Sequence, residues 1–195
     1  MPSFGQVVPV TGPYLGFAGK VSRLGKRTIT ARQVLSTTPN NIPFGTPMVI
    51  IPTVGGGDTV VGVVDYVGSG SGQQSGTLTA ALIAGIAINE VTTNLTFPGA
   101  QTPGALNTGY YGPGGIAEML EEGSIMVQIN NGTPASQAVV YVRTALNASV
   151  PAGVVGGFEA ANTTGVIAWT GVVFRTGVLD ANNMAEITLP NRVAA

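Results

Sequence analysis

The chain contains neither cysteine nor histidine. Without cysteine there is no disulfide framework, thiolate metal site, iron–sulfur centre or thiol nucleophile. Without histidine the commonest general base, the commonest zinc ligand and the usual serine triad are lost together. Both lysines, Lys20 and Lys26, sit in one basic stretch, which leaves little for a desolvated catalytic lysine. No window approaches the roughly 20 apolar residues of a membrane span. The most apolar run, "LTAALIAGIAINEV", is broken by Gly85 and Asn89. The opening "MPSFGQVVPV" has neither the charged start nor the apolar core of a secretory signal. An intracellular origin is therefore expected, with the Asn-x-Ser/Thr triplets at Asn94, Asn131, Asn147 and Asn162 arising by chance.

Charge is also scarce, at 9% of residues where an ordinary domain carries about 25%. With 44% hydrophobic residues the chain is nonetheless no disordered tail. Its polar surface must come from Thr, Asn, Gln, Ser and backbone, and a net charge of −1 gives little self-repulsion. Such surfaces associate, so an assembly is the expected working state.

What is present is a succession of short β-type runs bounded by Gly, Pro, Asn or Asp. These are "TITARQVL", "TPMVII", "TVVGVVDYV", "AGIAINEV", "GSIMVQIN", "AVVYVRT", "GVIAWTGVVFRTGVL" and "MAEITLP". The expected fold class is all-β, a β-sandwich or barrel with jelly-roll among the options, carrying an extended N-terminal arm and long loops. Residues 1–27 are assigned to the arm and 28–195 to a single β domain. Asp180-Ala181-Asn182-Asn183 and Asn131-Gly132 read as hairpin turns. "GSGSGQQSG" (68–76) reads as a flexible loop, and 97–115 as a second long excursion. "IAEMLEEG" (116–123) is the best helix candidate, but a strand leading into a turn at "EEG" is favoured because "SIMVQI" follows at once.

Catalysis would have to rest on carboxylates. Glu118, Glu121 and Glu122 form the one acidic cluster, and a glycosidase would need two carboxylates about 5–9.5 Å apart across a cleft. A solvated strand or loop face is the simpler reading. Asp58 and Asp65 flank "TVVGVV" at an odd spacing, so on one strand they would point to opposite faces. Neither suggests a metal cage, and no cofactor is expected. "GFAGKVS" fails as a phosphate loop because Tyr14 replaces the first glycine and Val21 follows the lysine. Tyr66, Tyr110, Tyr111 and Trp169 could in principle stack a sugar, but core or interface filling is the more ordinary use.

The most uneven feature is "GKVSRLGKRTITAR", residues 19–32, which holds five of the eight cations: Lys20, Arg23, Lys26, Arg27 and Arg32. Residues 1–57 carry five cations and no acid, while 58–195 carry three cations and nine acids, so the two parts are +5 and −6. A nucleic-acid arm would be more densely basic and interleaved with stacking aromatics. Two readings remain: cations guarding a strand edge, or a docking arm that lies along another protein with its cations meeting an acidic neighbour. For the arm, the candidate contacts are Phe4, Tyr14, Phe17, Lys20, Arg23, Lys26 and Arg27.

The segments "FGTPMVI" (44–50), "EEGSIMVQI" (121–129), "AVVYVRTALNASVPAGVVGGFEAA" (138–161) and "TGVLDANNMAEITLPNRVAA" (176–195) resemble the bacteriophage structural cement family, the head decoration proteins of tailed phages. So do "GPYLGFAGKVSRLG" and the "TARQV" that follows. The resemblance implies a non-enzymatic virion protein made in the host cytoplasm and carried in many copies on the outer capsid surface. It implies the major capsid protein as partner, bridging of neighbouring subunits of the expanded shell, and self-association as a dimer or trimer. Nucleic acid and membrane are not expected partners. The alternatives are another virion component (tail, neck or fibre base) or a glycan-binding module.

Overall fold

The computed structural model describes residues 18–23, 25–52, 57–89 and 109–190. Eleven strands appear among them: β1 (Thr28–Val34), β2 (Ile42–Pro43), β3 (Pro47–Ile51), β4 (Thr59–Gly62), β5 (Ile83–Ala87), β6 (Tyr110–Tyr111), β7 (Ile116–Asn131), β8 (Val139–Arg143), β9 (Phe158–Glu159), β10 (Val166–Phe174) and β11 (Met184–Leu189). One five-residue helix, α1 (Val63–Val67), and a 3-10 turn at Ala80–Leu82 complete the set. The chain is all-β, as its short apolar runs imply.

The 16-residue β7 organises the molecule. Its first half pairs with β1 on one flank and β5 on the other, and the ladder continues from β5 through β3 and β4 back to β1. Its second half pairs with β11, and that ladder runs through β10, β8 and β9 back to β7. Two five-stranded rings therefore share one strand. The β1–β4 and β7–β9 contacts are parallel and the rest of both ladders is antiparallel.

Burial follows this plan. Val49, Val61, Ile86 and Leu120 of the first ring join Ile125, Val127, Val140, Val142 and Ile187 of the second in one continuous core. Trp169 stacks on Phe158 within it at a centroid distance of 6.1 Å. The alternate positions of the first ring, Val34, Met48, Val60, Ala87, Ala117 and Met119, form a second cluster closed by Ile42. Strand β7 is thus buried on both faces where it crosses the first ring. Apolar residues on both faces blur its period, which is why the segment also looks helical in sequence.

Several local expectations change. Residues 116–123 are strand, but there is no turn at "EEG". The chain runs on through Gly123, whose φ of +129° is a conformation that other residues rarely adopt. Gly132 does turn the chain, at φ +83°, yet the strands it joins do not pair with each other, because β8 pairs with β10 and β9. The Asp180 turn forms as expected: its Oδ1 accepts from the N–H groups of Asn182 and Met184, both at 2.8 Å, and Asn183 is left-handed. Asp58 and Asp65 do not share a strand, because the chain coils into α1 after Gly62. Loop 68–76 is tied down by backbone bonds from Gln74, Ser75 and Gly76 to Asp65, Gly68 and Tyr66. Of the 97–115 excursion, residues 97–108 lie outside the described residues.

Candidate functional site

The basic stretch lies antiparallel along β7 in two pieces. Residues 19–22 pair with 124–126: Gly19 N–H donates to the Met126 carbonyl (2.9 Å), Met126 N–H to Lys20 (2.9 Å), and Ser22 N–H to Ser124 (3.0 Å). Strand β1 then pairs with 116–122. Between Ser22 and Thr28 the chain makes an excursion while β7 advances only from Ser124 to Glu122. Arg23, Lys26 and Arg27 belong to that excursion and are exposed.

The root of this segment is tightly enclosed. Gly19 is buried at φ +79°, and a Cβ on it would lie 2.8 Å from the Gly45 nitrogen and 3.0 Å from the Ala87 carbonyl. Its own carbonyl accepts from Asn89 N–H at 2.8 Å. Two facing glycines allow the chain to pass between β7 and the turn at 44–46, so the segment is fixed to the domain at Gly19.

The carboxylates that meet these cations belong to the same chain. Arg23 donates through Nε to Glu186 Oε1 at 2.7 Å and through Nη2 to Oε2 at 3.2 Å, and Ser22 Oγ donates to Oε1 at 2.7 Å. Glu186, on β11, has a side chain only 9% exposed. Burial pushes its carboxyl upward, but the hydrogen bonds from Arg23 and Ser22 and the charges of Arg23 and Arg175 outweigh this and hold it below the usual carboxylate range. The same Glu186 hydrogen bond and charge raise the Arg23 guanidinium. Lys26 Nζ lies 3.0 Å from Glu122 Oε1, whose other oxygen accepts from Thr28 Oγ1 at 3.2 Å. Arg32 lies 3.4 Å from Asp58. The +5 and −6 parts of the sequence are thus joined across the fold.

Beside the excursion is an open cleft of about 300 Å³, lined among others by Arg23, Lys26, Gly123, Ser124, Arg175 and Pro190. Arg175 carries no local sequence signal, since it follows β10 some 150 residues from the basic stretch. It arrives here because its N–H bonds the Glu186 carbonyl at 2.8 Å. Of the contacts expected for the arm, Arg23 and Lys26 line this cleft. Lys20 is exposed beside it in sequence and meets β7 through its carbonyl. Phe4, Tyr14 and Phe17 lie outside the described residues.

A second polar cluster is structural. Arg143 and Glu159 are both fully buried and form an ion pair through Arg143 Nε and Glu159 Oε1. The guanidinium also donates to the carbonyls of Ala145 (3.0 Å) and Thr164 (3.3 Å) and to Thr163 Oγ1 (2.9 Å). Glu159 Oε2 accepts from Asn131 and Thr163, both at 3.2 Å. The pair pins both ends of the 144–157 loop, inside the segment that carries much of the family resemblance.

The other candidate groups do not converge. Glu121 accepts from Thr30 Oγ1 at 2.6 Å and Glu122 is held by Lys26, so each serves the β1–β7 seam. Trp169 is fully buried, and Tyr111 is half-buried with its hydroxyl donating to the Ile88 carbonyl at 2.8 Å. Tyr110, the exposed one, has neither as a partner in an open sugar platform.

The family described as "Structural cement protein (E217 gp24/Pam3 gp6)" matches residues 6–190. The chain belongs to the phage structural cement protein family. Its place is accordingly on the phage capsid, as a structural component of the virion. A chain from the structure titled "The capsid of Myoviridae Phage XM1" is similar in fold, with a TM-score of 0.56 at 17% identity, over 94% of this chain and 96% of that one. No curated protein matches the chain significantly.

Proposed function

We propose that this cement protein sits on the outer capsid surface, bridges neighbouring major capsid subunits of the expanded shell, and acts without catalysis. The observation that carries this is the family match, which reaches back to residue 6 and so takes in the arm together with the β domain. In this reading residues 1–27 form the shell-binding arm, with Phe4, Tyr14 and Phe17 as apolar anchors and Lys20, Arg23, Lys26 and Arg27 as the charged contacts. The enclosed root at Gly19 supports it, because an arm that leaves from a fixed point loses less freedom on docking. Copies of the chain associate as a dimer or trimer on the shell, and symmetry multiplies many weak contacts into a firm clamp.

Co-sedimentation of the purified protein with expanded, undecorated shells of its own phage tests the proposal. The expected result is saturable binding at a simple ratio to the major shell subunit. Binding of only a few copies per particle would move the protein to a vertex or tail position and overturn the bridging role.

A further inference from the structure

The cleft beside the 23–27 excursion has an unbalanced charge. Among the described residues three cations reach it: Arg23, Lys26 and Arg175. Two carboxylates answer them, Glu186 on Arg23 and Glu122 on Lys26. Arg175 is exposed, and its guanidinium makes no hydrogen bond or ion pair with the described residues, although its charge is felt at Glu186. The described residues of the cleft therefore keep a net charge of +1, with the five N–H donors of the exposed Arg175 unanswered among them. Its volume of about 300 Å³ is at the low end for a binding cleft and suits one inserted side chain.

Resting on the capsid role proposed above, we infer that this cleft receives a single Asp or Glu side chain of the neighbouring major capsid subunit, with Arg175 as its principal partner. The charge left over matches one carboxylate rather than a run of phosphates. A guanidinium binds a carboxylate through two parallel hydrogen bonds, which sets orientation as well as strength. The site is also pre-formed. Arg23 is already held by Glu186, which Ser22 also braces, and Lys26 by Glu122, so the walls need no ordering when the acid enters. The docked carboxylate would complete a row of alternating charges running from Arg23 through Glu186 and Arg175 to the shell. In this arrangement the excursion's own cations shape the cleft, while the residue that reads the partner comes from the far end of the chain.

The test compares wild type, Arg175→Glu and Arg175→Gln in the shell co-sedimentation assay at two salt concentrations, with thermal unfolding as the fold control. The Arg175 guanidinium makes no hydrogen bond or ion pair with the described residues, so Arg175→Gln should melt close to wild type, while Arg175→Glu, which sets a second carboxylate near Glu186, should melt somewhat lower yet still fold. Arg175→Glu should bind about tenfold more weakly at low salt, the loss of one charge-assisted pair, and Arg175→Gln should bind with a shallower salt dependence. Binding of Arg175→Glu equal to wild type overturns the inference and leaves the capsid role intact, whereas absence of wild-type binding removes the capsid role on which it rests. Zero-length carbodiimide crosslinking of shells decorated with Arg175→Lys identifies the occupant. A crosslink from position 175 to a shell-subunit carboxylate supports the inference, and one to a second copy of this chain overturns it.

Discussion

Arg143→Met should be among the most damaging single substitutions in the chain. Arg143 and Glu159 are both fully buried, and the guanidinium serves four acceptors. Removing it leaves the Glu159 carboxylate in the core with only the Asn131 and Thr163 donors, and leaves the Ala145 and Thr164 carbonyls without this donor. Breaking one side of a buried pair costs about 3–5 kcal/mol. Against a total stability on the order of 5–15 kcal/mol, that is a large share. At about 2–4 °C per kcal/mol for a chain of this size, the melting temperature should fall by roughly 6–20 °C. Calorimetry or circular dichroism measures it. The double substitution Arg143→Met with Glu159→Leu separates the causes, because it removes the stranded charge while keeping the space filled. It should recover more than about 1 kcal/mol of the loss, as coupled neighbours do. A loss below about 1 kcal/mol for Arg143→Met alone would mean that water reaches Glu159, and would refute the buried-pair reasoning.

Two further predictions concern the root of the arm. Because the Glu186 carboxyl lies below its ordinary value in the folded state, its contribution is complete above the unfolded-state value and is lost as pH falls through the folded one. Hydrogen-exchange protection of the Gly19 and Ser22 amides should therefore drop on acidification, and in Glu186→Gln it should be lower at neutral pH and flat through the acid range. Removal of residues 1–17 should leave the melting temperature close to wild type while shell binding falls. Removal of residues 1–23 should also lower the melting temperature, because it strips the 19–22 bonds to β7 and strands Glu186; equal melting of the two truncations would place the root outside the cooperative fold.

The strands were legible where one segment carried its own pattern. All eight β-type runs contain described strands, because β-branched residues bounded by turn formers need little context. The two-residue strands β2, β6 and β9 left no trace, since nothing so short has a period. Continuity of β7 through Gly123 was hidden for a different reason. A glycine after two glutamates looks like a stop, and only the neighbours β1 and β11 make it a passage between rings. The charge asymmetry was plain in sequence, but its meaning lay in pairings 26 to 163 residues apart that no local pattern encodes. Arg175 was missed for the same reason.

The two readings of the basic stretch, edge guard and docking arm, draw on different parts of the fold. Strand β1 pairs with β7 along its length but with β4 only at Gln33 and Val34, so among the described residues positions 28–32 have no strand on their other flank. Arg32 lies on that open flank, where charge discourages another chain from adding a strand. Arg23 and Lys26 instead hold the excursion to β11 and β7 and build the cleft wall. A charge-poor surface needs such a division, because it has little general repulsion to keep copies apart. In the proposed reading, a cation stands where unwanted strand addition would begin and Arg175, unanswered among the described residues, stands where a partner is wanted, so that the protein would associate with the shell at a chosen point.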